Sequence, residues 1–276
     1  MTKHSGNNPY FISALSSPLL NASQFTGFSR RTQLSGVEID VTDALRLRLQ
    51  RWESASAADL SAVGIIWFPP PLERDLPGSV QRLLNQRNRG GVPLTIVVDQ
   101  PRRKSMDSFS KQIQLAIRLR TVLPANLRIA VGVRPFQIEN TRAHLANLAT
   151  LRLQASEWDL DVALDLGREL DWLWEAEAAI YRLAGSLQLI RFSYPRDTFD
   201  GRFRASLTQR TIASCADIGY SGAFSLVVPL PWWHWKNQPS LEAACRNATF
   251  DINRRLSGDR GGTVIHEEVD RLADRN

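Results

Sequence analysis

Leu94–Asp99 reads LTIVVD, Ser108–Leu123 reads SFSKQIQLAIRLRTVL, and Leu127–Val133 reads LRIAVGV. The outer two are short aliphatic runs, apolar on both parities, as in strands of a parallel sheet covered on both faces. The middle segment places Phe109, Ile113, Leu115, Ala116, Leu119 and Leu123 largely on one stripe, with Lys111, Gln112 and Arg118 elsewhere. That spacing predicts an amphipathic helix, with Asp107 or Ser108 as its N-cap. Strand, helix, strand is the repeating unit of an α/β fold with a parallel sheet.

The same alternation extends in both directions. Upstream lie Tyr10–Ala14 (YFISA), Gly36–Asp40 (GVEID) and Ala62–Phe68 (AVGIIWF); downstream lie Asp161–Asp165 (DVALD), Leu187–Phe192 (LQLIRF) and Ala223–Val228 (AFSLVV). Helical segments are expected at Thr42–Trp52, Thr141–Ala155 (capped by Asn140), Arg202–Ile218 and Leu241–Leu256, with Trp172 and Trp174 at the start of another. An open doubly wound sheet usually follows its first strand with a Gly-rich phosphate loop; here SSPLLNAS follows. Eight units in 276 residues fit a closed (β/α)₈ barrel, which typically takes about 250 residues. The expected organisation is one barrel over residues 1–258 and a charged tail or appendage helix over 259–276, after the break GDRGG.

Composition narrows the class of protein. The apolar fraction is 43% and the charged fraction 22%, ordinary values for a globular chain. No apolar run reaches the roughly 18–20 residues that span a bilayer, so no membrane partner is expected. The start, MTKHSGNNPYF, carries no basic stretch leading into a long apolar one, so no secretion signal is expected. Cys215 and Cys245 lack the number and spacing of a disulfide framework or metal site, and read as buried small hydrophobes within helices. A reduced cytoplasmic setting follows. Only four of 34 basic residues are lysines, in a net charge of +6; scattered arginines suit solvated faces as well as anion recognition. Arg102-Arg103-Lys104 is too short for a phosphate track, so no nucleic-acid partner is expected.

In a (β/α)₈ barrel the site forms at the carboxyl ends of the strands. Those ends offer Ser16 and Ser17, Glu38 and Asp40, Trp67, Asp99 and Gln100, Arg134, Asp165 and Arg168, then Arg191, Ser193, Tyr194 and Arg196. Trp232, Trp233, His234 and Trp235 follow the last strand. Asp40, Asp99 and Asp165 thus converge with several arginines on one face. Such charges also suit ion pairs that close the mouth, since pairing needs no catalysis. The WWHW segment suits stacking on a sugar or aromatic ligand, a protein partner docked through Trp232, Trp233 and Trp235, or a packed lid.

Three segments carry a family resemblance. Leu34–Asp40 (LSGVEID) resembles the G-F-D-G-V-E-L second strand of the xylose isomerase-like sugar phosphate isomerases and epimerases. Val162–Arg168 (VALDLGR) resembles that family's L-D-T-G-H sixth strand, and Ile218–Val227 (IGYSGAFSLV) its closing G-Y-x-G-x-x-x-x-E. Order and spacing agree, and the resemblance spans roughly residues 8 to 256.

The resemblance implies a divalent metal held by glutamate on strand five, aspartate on strand six, histidine near strand seven and glutamate on strand eight. In this chain those positions hold Gly132, Asp165, Arg191 or Ser193, and Val227, and the histidine after the strand-six aspartate is replaced by Arg168. One carboxylate does not build such a coordination sphere. The expectation is therefore a divergent member with no metal and no cofactor. It would bind a small anionic or carbohydrate-like ligand through Asp40, Arg134, Asp165, Arg168, Arg191, Arg196, Trp233 and His234. Candidate catalytic carboxylates are Glu38, Asp99 and Asp165. The alternatives are a non-catalytic scaffold with a tryptophan-rich docking surface, and a metal-dependent isomerase with relocated ligands.

Overall fold

The computed structural model of the chain describes residues 8–16, 20–40, 56–68, 84–85, 92–99, 106–134, 141–166, 173–193, 201–228 and 238–257. Its eight strands are β1 (Tyr10–Ser13), β2 (Gly36–Asp40), β3 (Val63–Phe68), β4 (Thr95–Val98), β5 (Arg128–Val133), β6 (Asp161–Leu166), β7 (Leu187–Ser193) and β8 (Ala223–Val227). They pair in parallel in sequence order, and β8 returns to β1, so the sheet is a closed barrel. At the seam Tyr10 stands beside Phe224, and the Asn8 amide donates to the carbonyls of Tyr220 and Gly222 at 3.3 and 2.8 Å. All eight expected strands are present, each within one or two residues of its expected bounds.

The described α-helices are α1 (Ala22–Arg31), α2 (Ala57–Leu60), α3 (Met106–Val122), α4 (Thr141–Glu157), α5 (Leu173–Leu183), α6 (Gly201–Asp217) and α7 (Gln238–Leu256). Helix α3 begins ahead of both Asp107 and Ser108, so neither caps it. Helix α1 is unforeseen in the hydrophobic pattern. It starts at a capping box, in which Asn21 Oδ1 accepts from Gln24 N and Gln24 Oε1 accepts from Asn21 N, both at 2.9 Å. Just past the end of helix α6 stands Gly219, whose φ of 63° suits a residue without Cβ. There Tyr220 N bonds Cys215 O at 2.9 Å and Gly219 N bonds Ala216 O at 3.1 Å, the paired closure of a Schellman turn. The segments 42–52, 100–105 and 259–276 lie outside the described residues, as do Asn140 and Trp172.

Alternation along the strands creates two cores. Ile96 and Val98 of β4 face outward, into the apolar layer between barrel and helices, with Phe25, Phe28, Leu119 and Leu148. Val97 faces inward with Phe11, Ile65, Trp67, Ala130, Ala163 and Leu189. The inner set mixes large and very small side chains, as a packed barrel interior requires. Above this apolar plug, toward the strands' carboxyl ends, the inward positions turn charged.

Candidate functional site

Asp165 on β6 and Arg191 on β7 keep the inward parity of Ala163 and Leu189 two residues earlier, and Glu38 on β2 stands in register with the inward Ile65. Asp99 and Arg134 follow directly on β4 and β5. The five side chains form one connected ionic chain. Arg191 Nε and Nη2 both lie 2.8 Å from Glu38 Oε1, and the Trp67 indole donates to Glu38 Oε2 at 2.8 Å. The Arg191 guanidinium sits 3.9 Å above the Trp67 ring, a stacked cation–π arrangement. Its Nη1 reaches Asp165 Oδ2 at 3.4 Å. Arg134 Nε approaches the same oxygen at 3.2 Å, while its Nη2 meets Asp99 Oδ2 at 2.6 Å.

Each guanidinium therefore bridges two carboxylates, and the chain holds three carboxylates to two guanidiniums. Burial grades along it. Glu38 is 0% exposed, Arg191 2% and Asp165 6%, while the Arg134 side chain is 29% exposed. Arg134 is where this network meets solvent.

Supporting contacts hold the strand tips. The Gln112 amide of α3 donates to Val98 O and Gly132 O, both at 2.7 Å, clamping β4 to β5 beneath Asp99 and Arg134. Both of those partners are carbonyls, so the amide's orientation is fixed, and Gln112 Oε1 is left buried without a partner. Ser16 accepts from Val228 N at 2.9 Å and donates to Leu226 O at 3.3 Å, so it closes the β8 end rather than facing a ligand. Ser225, beside Arg191 in register, keeps a buried hydroxyl without a partner.

The sequence places Glu38, Asp99, Arg134, Asp165 and Arg191 together, and the structure brings all of them into contact. It pairs Asp165 with Arg134 and Arg191. Asp40 lies on β2, its side chain outside the described set, and Arg168, Arg196, Trp233 and His234 lie outside the described residues altogether. So do Trp232 and Trp235, on which a docking surface would rest. Three contributors were not foreseen in these roles: Trp67 as floor, Gln112 as clamp and Ser225 as an unpaired interior hydroxyl. Only Trp67 carried a signal, as an indole at an inward, strand-end position.

The described residues at the implied ligand positions do not fit the divalent metal that the resemblance implies. At Gly132, the strand-five position, a Cβ would lie 2.8 Å from the Trp67 ring and 3.2 Å from Asp99 Cα, so no ligating side chain fits there. Val227 is apolar and buried, and Arg191 brings a positive charge onto Asp165 itself. Among the described residues no three of His, Cys, Asp and Glu gather to hold a metal ion.

Barrels of this architecture recur among solved structures. D-psicose 3-epimerase from Clostridium cellulolyticum H10, solved with D-tagatose, superposes with a TM-score of 0.56 at 13% identity, covering 90% of this chain and 99% of that one. An L-ribulose 3-epimerase superposes with a TM-score of 0.58 at 12% identity, covering 98% and 99%. The carboxyl transferase domain of Rhizobium etli pyruvate carboxylase gives 0.51 at 8% identity, covering 92% of this chain and 48% of that one. The chain thus has a closed (β/α)₈ barrel fold, and the likeness to the psicose and ribulose epimerase structures runs over nearly the whole of each chain. No protein-family profile matches it, and no curated protein sequence matches it. Among the described residues no helix is long and apolar enough to cross a membrane.

Proposed function

We propose that the chain is a metal-free, sugar isomerase/epimerase-like barrel that takes a small carbohydrate-like or anionic ligand at the carboxyl ends of its strands. The observation that carries this is the partly exposed Arg134, held between Asp99 and Asp165 at the mouth. Carboxylates accept hydrogen bonds from sugar hydroxyls, and a guanidinium donates to carbonyl, carboxylate or phosphate oxygens. Because both guanidiniums are already bridged by carboxylates, a polyhydroxylated ligand suits the described part of the mouth better than a bare anion. The fold neighbours solved with D-tagatose, D-fructose and D-allulose are handlers of such polyols.

The division of labour follows burial. Glu38 has both oxygens engaged and no exposure, so it anchors Arg191. In this reading Asp99 and Asp165, which both pair with Arg134, would exchange a proton with a carbon next to a carbonyl. Arg134 would then steady the oxygen on which charge develops.

A thermal-shift and calorimetric screen of ketohexoses, their phosphates and simple organic acids tests this. A ligand that binds only the folded chain raises its melting temperature. Arg134→Ala should weaken binding by about 1.5–3 kcal/mol, the range for hydrogen bonds to charged groups, and should also lower stability, because it takes a cationic partner from the buried Asp99 and Asp165. Absence of any ligand-induced shift, or undiminished binding by the variant, would sink the proposal.

A further inference from the structure

We propose that the outer faces of α4 and α5 are a docking surface for a second copy of this chain, paired about a two-fold axis. A helix that wraps a barrel turns polar side chains to solvent, and α3 does so with Gln114, Arg118 and Thr121. Its neighbour α4 instead exposes Leu153, which is 67% accessible, and α5 exposes Tyr181 at 48%. The two stand on adjoining ridges, because Arg152 Nη1 reaches Arg182 O at 3.5 Å across the groove between the helices. Trp158 adds an exposed indole just past the end of α4. One exposed leucine needs no explanation; three large apolar side chains on one pair of packed helices mark an interaction surface.

Charge points to the occupant. Arg152, Arg182 and Glu157 are exposed on this face. Among the described residues neither arginine meets a carboxylate, and Glu157 meets no cation. The other acids nearby are engaged: Asp159 pairs with Arg120 at 2.6 Å, Glu177 pairs with Arg210, and Asp217 accepts from Tyr181 Oη at 2.8 Å. A face with unanswered charges of both signs is its own complement, since a two-fold axis sets each copy's Glu157 against the other's arginines. A partner of one sign would answer only half of them. The hydrogen bond to Asp217 also orders the Tyr181 ring before docking, so its burial costs little rotamer freedom. Leu153, Glu157 and Tyr181 lie in the last turns of their helices, at the end of the barrel away from the strands' carboxyl tips. Paired there, both copies keep their mouths open.

The test is mass by light scattering during gel filtration, at high micromolar concentration, with far-ultraviolet circular dichroism to show that each variant is folded. Wild type should elute at twice the chain mass, and Leu153→Asp at the mass of one chain. Glu157→Arg alone and Arg152→Glu/Arg182→Glu alone should each be monomeric. Mixing those two variants should restore the twofold mass, because the reversed charges then face each other. If Leu153→Asp does not fold, the charge-reversed pair carries the test by itself. A monomeric wild type, which leaves the face to some other protein, overturns the proposal. So does a twofold mass that survives Leu153→Asp and both charge reversals. Neither result touches the ligand reading, which is tested at the mouth.

Discussion

Glu38 and Arg191 meet in the driest part of the barrel, where a pair is only as good as its geometry. Removing two ions from water costs several kcal/mol each, and the loss is offset only when every lone pair and donor finds a partner. Here Glu38 has three donors on its two oxygens, and Arg191 has a ring beneath it as well. Glu38→Gln keeps the shape but leaves a buried guanidinium short of charge. It is expected to cost about 3–5 kcal/mol of unfolding free energy, read by urea denaturation; a cost near zero would mean that Asp165 compensates Arg191 unaided. The inward parity of these residues was legible, because each follows small or apolar inward neighbours by two positions. Who pairs with whom was not. The described partners of Asp165 are Arg134, just after β5, and Arg191 on β7, 31 and 26 positions away. Partner choice depends on the stagger of the barrel, including the irregular register at Val162/Ala163, and no local pattern encodes that.

Helices α1 and α2 show what a short element needs when its pattern is weak. Helix α1 is rich in serine, threonine and glycine, so its propensity is low, and only Ala22, Phe25 and Phe28 give it an apolar face. Its capping box, Asn21 with Gln24, was in principle readable; the runs of small polar residues around it hid it. What secures α1 is a carboxylate on α2. Asp59 accepts from Thr26 Oγ1 at 2.7 Å, Ser23 Oγ at 2.8 Å and Ser56 Oγ at 2.9 Å. Burial pushes its carboxyl up, but those hydroxyl hydrogen bonds pull it further down, to a net value below the ordinary 3.8. A carboxyl whose folded-state pKa is depressed contributes stability above its unfolded value and loses it as pH falls through the folded one. Acid should therefore loosen α1 as pH drops below the ordinary carboxylate range. Asp59→Asn should cost about 1–2 kcal/mol near neutrality and flatten the acid limb of the stability–pH curve. An unchanged acid limb would remove Asp59 from the account.

At the scale of the molecule, closure of the sheet leaves no edge strand, and the helices seal the outer core as one layer. The eightfold alternation of strand and helix was therefore sufficient to reach the architecture, while the mouth loops, which vary most in such folds, carry no periodic signal. Cys215 on α6 and Cys245 on α7 report on that sealing. Both are fully buried, and burial pushes each thiol up to about 12, so neither offers a thiolate near neutrality. Both should resist Ellman's reagent in the native protein and react together, in step with loss of circular dichroism, as denaturant is added. Early reaction of one alone would reveal a seam between α6 and α7 that opens on its own. The ionic chain sets a further condition on how the molecule comes into being. Glu38 and Arg191 stand 153 positions apart, so during synthesis the first four strands and their acidic tips emerge long before their principal counter-charge exists. Until β7 has left the ribosome, the nascent half-barrel must keep Glu38 hydrated, and its interior cannot dry; the last third of the chain delivers the group that allows the first third to finish folding.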